Sequence, residues 1–170
     1  RLEGAYSIKF DGKKLQPINT VLEIEYTGNV MNATPVDVPS QSLSYMKDVS
    51  GSSNTKAQWI NHQWTDIKSL TNGDWSGSFW QPSEGDKTPW IEINLGKPRR
   101  FSKVVLYESM KNVLSYELQY KEGEIWKTFH RGSTIGLRQE IKTKPVNTQF
   151  IRMVINSFSS TPQLYEIMVL

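Results

Sequence analysis

The stretch "PWIEINLGKPRRFSKVVLYES", residues 89–109, decides how this 170-residue chain is read. Ile91, Ile93 and Leu95 fall on one side of a two-residue period, with Glu92 and Asn94 on the other. After "GKP", Val104 and Leu106 stand opposite Lys103, Val105 and Tyr107. Strict alternation of apolar and polar residues is the mark of a strand with one face buried. The period recurs downstream. "SYELQYKEG" alternates Tyr116, Leu118 and Tyr120 against Glu117 and Gln119; "FIRMVIN" alternates Ile151, Met153 and Ile155 against Arg152 and Val154; "LYEIMVL" ends the chain in the same way. Between these segments lie "GKP", "KEGE", "RGSTIG" and "SFSSTP", the residues of turns. The pattern predicts an all-β antiparallel sandwich or barrel, with "HQWTDIKSL" as the one short helical candidate.

The first residues read as separate. "AYSIKFDGKKL" and "TVLEIEYTG" have the pattern of two strands, and "NATPVDVPSQS" has the composition of an extended linker. A boundary is expected at residue 38/39. Residues 1–38 are too few to bury a core of their own and are expected to be the closing strands of a preceding sandwich plus linker. Residues 39–170 form the second domain. The chain begins with Arg1, which is expected of a fragment of a longer protein.

Composition removes several function classes. Hydrophobic residues make up 37% of the chain and charged residues 22%, enough for a core and a solvated surface. No apolar run has the length of a membrane span. There is no cysteine, so disulfides, thiol catalysis and thiolate zinc sites are excluded. The net charge of +3 is interspersed, and "KPRR" at 97–100 is read as a solvated hairpin rim rather than a nucleic-acid site. The sequence has no G-x-S-x-G, no H-E-x-x-H around His62 or His130, and no glycine-rich phosphate cradle. The acidic residues of the strands fall on polar faces. No catalysis is expected from this chain alone.

From Thr65 to Leu170 the sequence resembles the coagulation factor 5/8 type C, or discoidin-like, domain family. Four pieces carry the resemblance in order: "SLTNGDWSGSFW", "PWIEINLGKPRRFSKVVLYES", "YELQYKEGEIWKTF" and "FIRMVINSFSSTPQLYEIMVL". It implies an eight-stranded, jelly-roll-like antiparallel sandwich (discoidin or galactose-binding-like), here preceded by the short β segment. The piece "GEIWKTFHRGSTIGLRQ", with Gly132, Thr134, Ile135, Gly136 and Arg138, is similar to the tail of bacterial family 29 alpha-L-fucosidases, and "NTVLEIEYTGNV" to the strand that joins their barrel to that tail. Related tails, of the family 32 carbohydrate-binding type, occur on hexosaminidases (chitobiases) and sialidases. The resemblance implies a module appended to a secreted, periplasmic or cell-surface bacterial glycoside hydrolase, whose catalytic carboxylates lie outside this chain.

Sugars are gripped by aromatic rings on their C–H faces and by polar groups on their hydroxyls. Three loops supply such groups: "NTKAQWINHQWT" with Trp59, Asn61, His62, Gln63 and Trp64; "YESMKNVLS" with Glu108, Lys111 and Asn112; and "INSFSSTPQ" with Asn156 and Phe158, the latter read as ligand contact or loop anchor. The resemblance implies His62, Asn112 and Phe158 as equivalents of the family's sugar contacts; with no Arg in the second loop, Lys111 or Glu108 would take that place. Trp80, Trp90 and Trp126 are expected in the core, Trp75 either at the sandwich edge or exposed, and His130 in a turn. The resemblance also implies one structural calcium, held by Asn72, Asp74 and Glu166. The expected partners are a glycan and the catalytic domain of the same polypeptide, not nucleic acid or membrane. Two other readings stay open: a structural domain packed on the catalytic domain without a ligand of its own, and a protein or lipid adhesion module.

Overall fold

The computed structural model describes residues 42–60 and 62–170, within the compact unit Pro39–Leu170. The two strands and linker expected before residue 42, and Asn61, lie outside the described residues. Nine strands are present among those residues: β1 (Asp48–Gly51), β2 (Gln58–Ile60), β3 (Gln63–Thr65), β4 (Ser78–Phe79), β5 (Trp90–Glu108), β6 (Val113–Glu122), β7 (Ile125–Gly132), β8 (Gln139–Phe158) and β9 (Leu164–Val169). A short 3-10 helix, Ile67–Thr71, follows β3.

The expected break at "GKP" is not a break. β5 runs from Trp90 to Glu108 and pairs with β8 on both sides of this point, but the register slips between Asn94 and Arg99 and again between Phe101 and Lys103. Gly96 adopts φ +84, a conformation suited to glycine, and its N–H donates to Asn94 Oδ1 at 2.9 Å. Extra residues in one strand of a pair bend it. Each long strand therefore has two arms. The first arm of β5 pairs with β1 and with the last part of β8, which in turn pairs with β6. The second arm of β5 pairs with β9 and with the start of β8. β6 carries β7 at the outer edge.

Counted by arms, these elements give eight antiparallel segments in two layers. One core lies between them. Ile91, Ile93, Val104, Leu106, Leu118, Ile141, Ile151, Met153, Ile155 and Ile167, drawn from both layers, belong to a single buried cluster with Trp80 and Tyr116. The fold is thus the antiparallel β-sandwich that the alternation predicts. A second small sheet, β2–β3–β4, lies beside it, with β3 and β4 parallel.

"HQWTDIKSL" divides instead of forming one helix. Trp64 pairs with Trp59 and Ser78, so residues 63–65 extend as a strand. Asp66 then caps the 3-10 turn by accepting the Lys68 N–H at 2.9 Å. Two tryptophans expected in the core lie outside it. Trp80 is fully buried, but Trp90 and Trp126 are half-buried and stack on either side of the Arg152 guanidinium, 4.7 and 4.0 Å from their ring centroids. Trp90 alternates with buried Ile91, so it belongs to the outer face of its layer. His130 is a strand residue of β7 rather than a turn residue, and its ring packs against Tyr116.

Candidate functional site

The strands β2 and β3 form a hairpin whose reversal includes His62, at φ +66. Trp59 and Trp64 face each other directly across this hairpin. Their rings meet edge to face, 5.7 Å between centroids and 67° between planes. Such a pair stabilises itself through its quadrupoles, yet Trp59 is 70% exposed and Trp64 38%. The pair therefore presents an exposed aromatic surface at the hairpin.

Polar groups tie the hairpin to the sandwich. Gln63 Nε2 donates to the Ser76 carbonyl at 2.5 Å and to the Tyr165 hydroxyl at 3.1 Å. The Tyr165 hydroxyl also reaches Ser109 Oγ, at 3.2 Å. Gln63 belongs to the first loop named from the sequence; Ser109 and Tyr165 are absent from the sequence-derived site. Tyr165 alternates with buried Leu164 and Glu166 in β9, so its outward position was available from the period. Its pairing with a residue 102 positions earlier was not.

The other expected contacts form a second cluster. Asn112 Nδ2 donates to the Thr161 carbonyl at 3.0 Å, and the Ser159 N–H donates to the Asn112 carbonyl at 2.8 Å. Phe158 is half-buried, opposite Val113, and packs against the core, so it anchors the loop. Lys111 is exposed, its stem passing beside Gly136.

Glu108 is a correction. It was expected to present its carboxylate to a ligand, but it is fully buried at the inward end of β5. Its Oε1 accepts the N–H groups of Asn112 and Val113 at 2.9 and 2.8 Å, and its Oε2 accepts that of Gly136 at 3.3 Å. Burial pushes its carboxyl above the usual range, while the three amides pull it back. Glu108 holds two loops in place and has no oxygen facing a ligand.

Asn72, Asp74 and Glu166 do come together. Glu166 is buried, and its Oε2 accepts the Gly73 N–H at 3.0 Å. Burial pushes its carboxyl up to about 8; the Gly73 bond lowers it and the Asp74 charge raises it further. Asn72 Oδ1 accepts the Asp74 N–H at 2.8 Å, and Asp74 Oδ1 accepts the N–H groups of Ser76 and Gly77 at 3.1 and 2.8 Å. Among the described residues no three or more Asp, Glu, His or Cys side chains gather as a metal cluster. A cation here would draw on two carboxylates, the Asn72 amide and main-chain carbonyls. That oxygen-only set suits a hard ion, and positive charge would offset the burial of Glu166 beside Asp74.

The sequence pattern of the F5/8 type C domain matches residues 48–167, and the chain belongs to that family. A candidate alpha-L-fucosidase 1 of Oryza sativa subsp. japonica is 26% identical over 88 residues, which are 50% of this chain and 17% of that protein. Among solved structures, SpGH29 superposes with a TM-score of 0.64 and 25% identity, over 76% of this chain and 27% of its own. Chitosan-binding module 1 of a chitosanase/glucanase from Paenibacillus sp. IK-5 superposes with a TM-score of 0.65 and 21% identity, over 77% of this chain and 99% of the module. The chain therefore spans a small part of the enzymes it resembles and nearly all of a binding module derived from another enzyme. The F5/8 type C domain is a binding module without catalytic function of its own.

Proposed function

We propose that this chain is a carbohydrate-binding module that keeps a secreted bacterial glycoside hydrolase of the alpha-L-fucosidase type close to its glycan substrate. The observation that carries the reading is the exposed Trp59–Trp64 pair at the hairpin, with His62 in the turn and Gln63 beside it. Stacked sugar faces on indoles, with hydroxyls on neighbouring amides and hydroxyls, are the chemistry such a surface supplies. One shallow site binds weakly. Its value to a tethered enzyme is a raised local substrate concentration, set by the linker. The candidate fucosidase resemblance supports the kind of parent enzyme, and the chitosan-binding relative supports the ligand class. A calcium ion held by Asp74, Glu166 and Asn72 would pin the 72–77 loop and take no part in chemistry.

The test is a glycan array followed by titration calorimetry on the wild-type chain, Trp59→Ala and His62→Ala. Binding that falls at least tenfold in Trp59→Ala supports the site. Absence of binding to every glycan would overturn the proposal.

A further inference from the structure

Trp75 lies beyond the hairpin and is 59% exposed. Its ring sits 6.0 Å from that of Tyr107, with the planes only 30° apart. The two rings are tilted against each other, so Tyr107 flanks the indole while more than half of Trp75 stays in solvent. The support beneath is rigid. Tyr107 stands in β5, its hydroxyl accepts from Arg138 Nε at 3.3 Å, and Arg138 is held by Glu140 at 2.9 Å.

The loop that carries Trp75 is equally fixed. Asp74 receives the N–H groups of Ser76 and Gly77, and Glu166 receives that of Gly73. Gly77 has no room for a side chain, because a Cβ there would strike the Asp74 carboxylate. The Ser76 carbonyl takes a hydrogen bond from Gln63, the residue next to Trp64. An exposed ring that is this well ordered has already met the entropic cost of binding.

Gln63 thus ties the hairpin that carries Trp59 and Trp64 to the loop that carries Trp75. The Gln63 amide, the Tyr165 hydroxyl and the Ser109 hydroxyl form one hydrogen-bonded row linked to both. We infer that Trp75 and Tyr107 form a second sugar subsite, and that the module binds several units of a neutral oligosaccharide rather than one terminal sugar. The inference rests on the carbohydrate reading of the hairpin. Its chemistry is that of a sugar chain: ring faces at both ends, amide and hydroxyl groups in the row that links them, and a cation, Arg138, already engaged by Glu140.

The test uses the whole 170-residue chain and neutral oligosaccharide series of increasing length derived from chitin, β-galactan, xylan and mannan, titrated calorimetrically. Expected is an affinity at least tenfold higher for the longest oligomer of the preferred series than for its disaccharide. That gain disappears in Trp75→Ala and returns in part in Trp75→Phe, whereas Trp59→Ala lowers affinity at every length. Equal affinity at all lengths, or a length gain untouched by Trp75→Ala, overturns the second subsite and leaves the hairpin site standing. No binding by the wild-type chain to any series overturns both.

Discussion

The buried carboxyl of Glu166 accepts the Gly73 N–H at 3.0 Å and lies within the field of Asp74. Its folded-state value of about 8 lies above the ordinary 4.5, so the folded protein binds this proton more tightly than the unfolded chain. Its contribution to stability is complete below about pH 4.5 and is lost as pH rises toward 8. Urea unfolding across that range should show the decline, and Glu166→Gln should flatten it.

Calcium should reverse the trend. An ion bound by deprotonated Glu166 releases a proton below pH 8, so its affinity should rise with pH up to that point. Calorimetry in two buffers of different ionisation enthalpy would detect the proton. Asp74→Asn and Glu166→Gln should each remove the calcium-induced rise in Tm.

Glu108 gives a stability prediction. Glu108→Ala leaves the amides of Asn112, Val113 and Gly136 without their acceptor, at a cost of about 3 kcal/mol. Glu108→Gln retains one carbonyl oxygen and should cost roughly half as much. Denaturant midpoints at constant m-value would measure both, and amide exchange should quicken at Asn112 and Gly136 in the alanine variant.

The tryptophans should separate binding from folding. Trp59→Ala should change stability by no more than about 0.5 kcal/mol, whereas Trp80→Ala, in the core, should cost about 3–5 kcal/mol. Thermal unfolding of the two variants side by side checks this, with glycan binding read on Trp59→Ala alone.

Arg152 lies between the rings of Trp90 and Trp126 and pairs with Glu92 at 2.8 Å. Arg152→Lys keeps the charge but loses the flat guanidinium that fills the slot. A loss of about 1–2 kcal/mol is expected, measured as a lower urea midpoint.

Alternation made the strands legible, because burial on one face forces it: Ile91, Ile93, Leu118, Ile151 and Met153 all lie in the core where the period places them. Glu108 was misplaced because its charge led to its being read as a loop residue after the strand, although the period sets it on the side of Val104 and Leu106. Two loops bring three N–H groups to that strand end, and that demand is not local. Trp90 and Trp126 were misplaced because the family resemblance set them at framework positions; their partner Arg152 reaches them only across neighbouring strands. Of the candidate site, Trp59, His62, Gln63 and Trp64 were readable from one short segment. Ser109, Tyr165 and the contact of Trp75 with Tyr107 were not, because they depend on the loop 74–77 and the last strand meeting the hairpin.

The bends in β5 and β8 have a mechanical meaning. Each strand passes through both layers, so neither layer can peel away without breaking the ladder of the other. A pull on the loops is shared along two unbroken backbones instead of opening one sheet. The domain is in this respect a clasp cut from a single folded strip, able to carry a load without parting its layers.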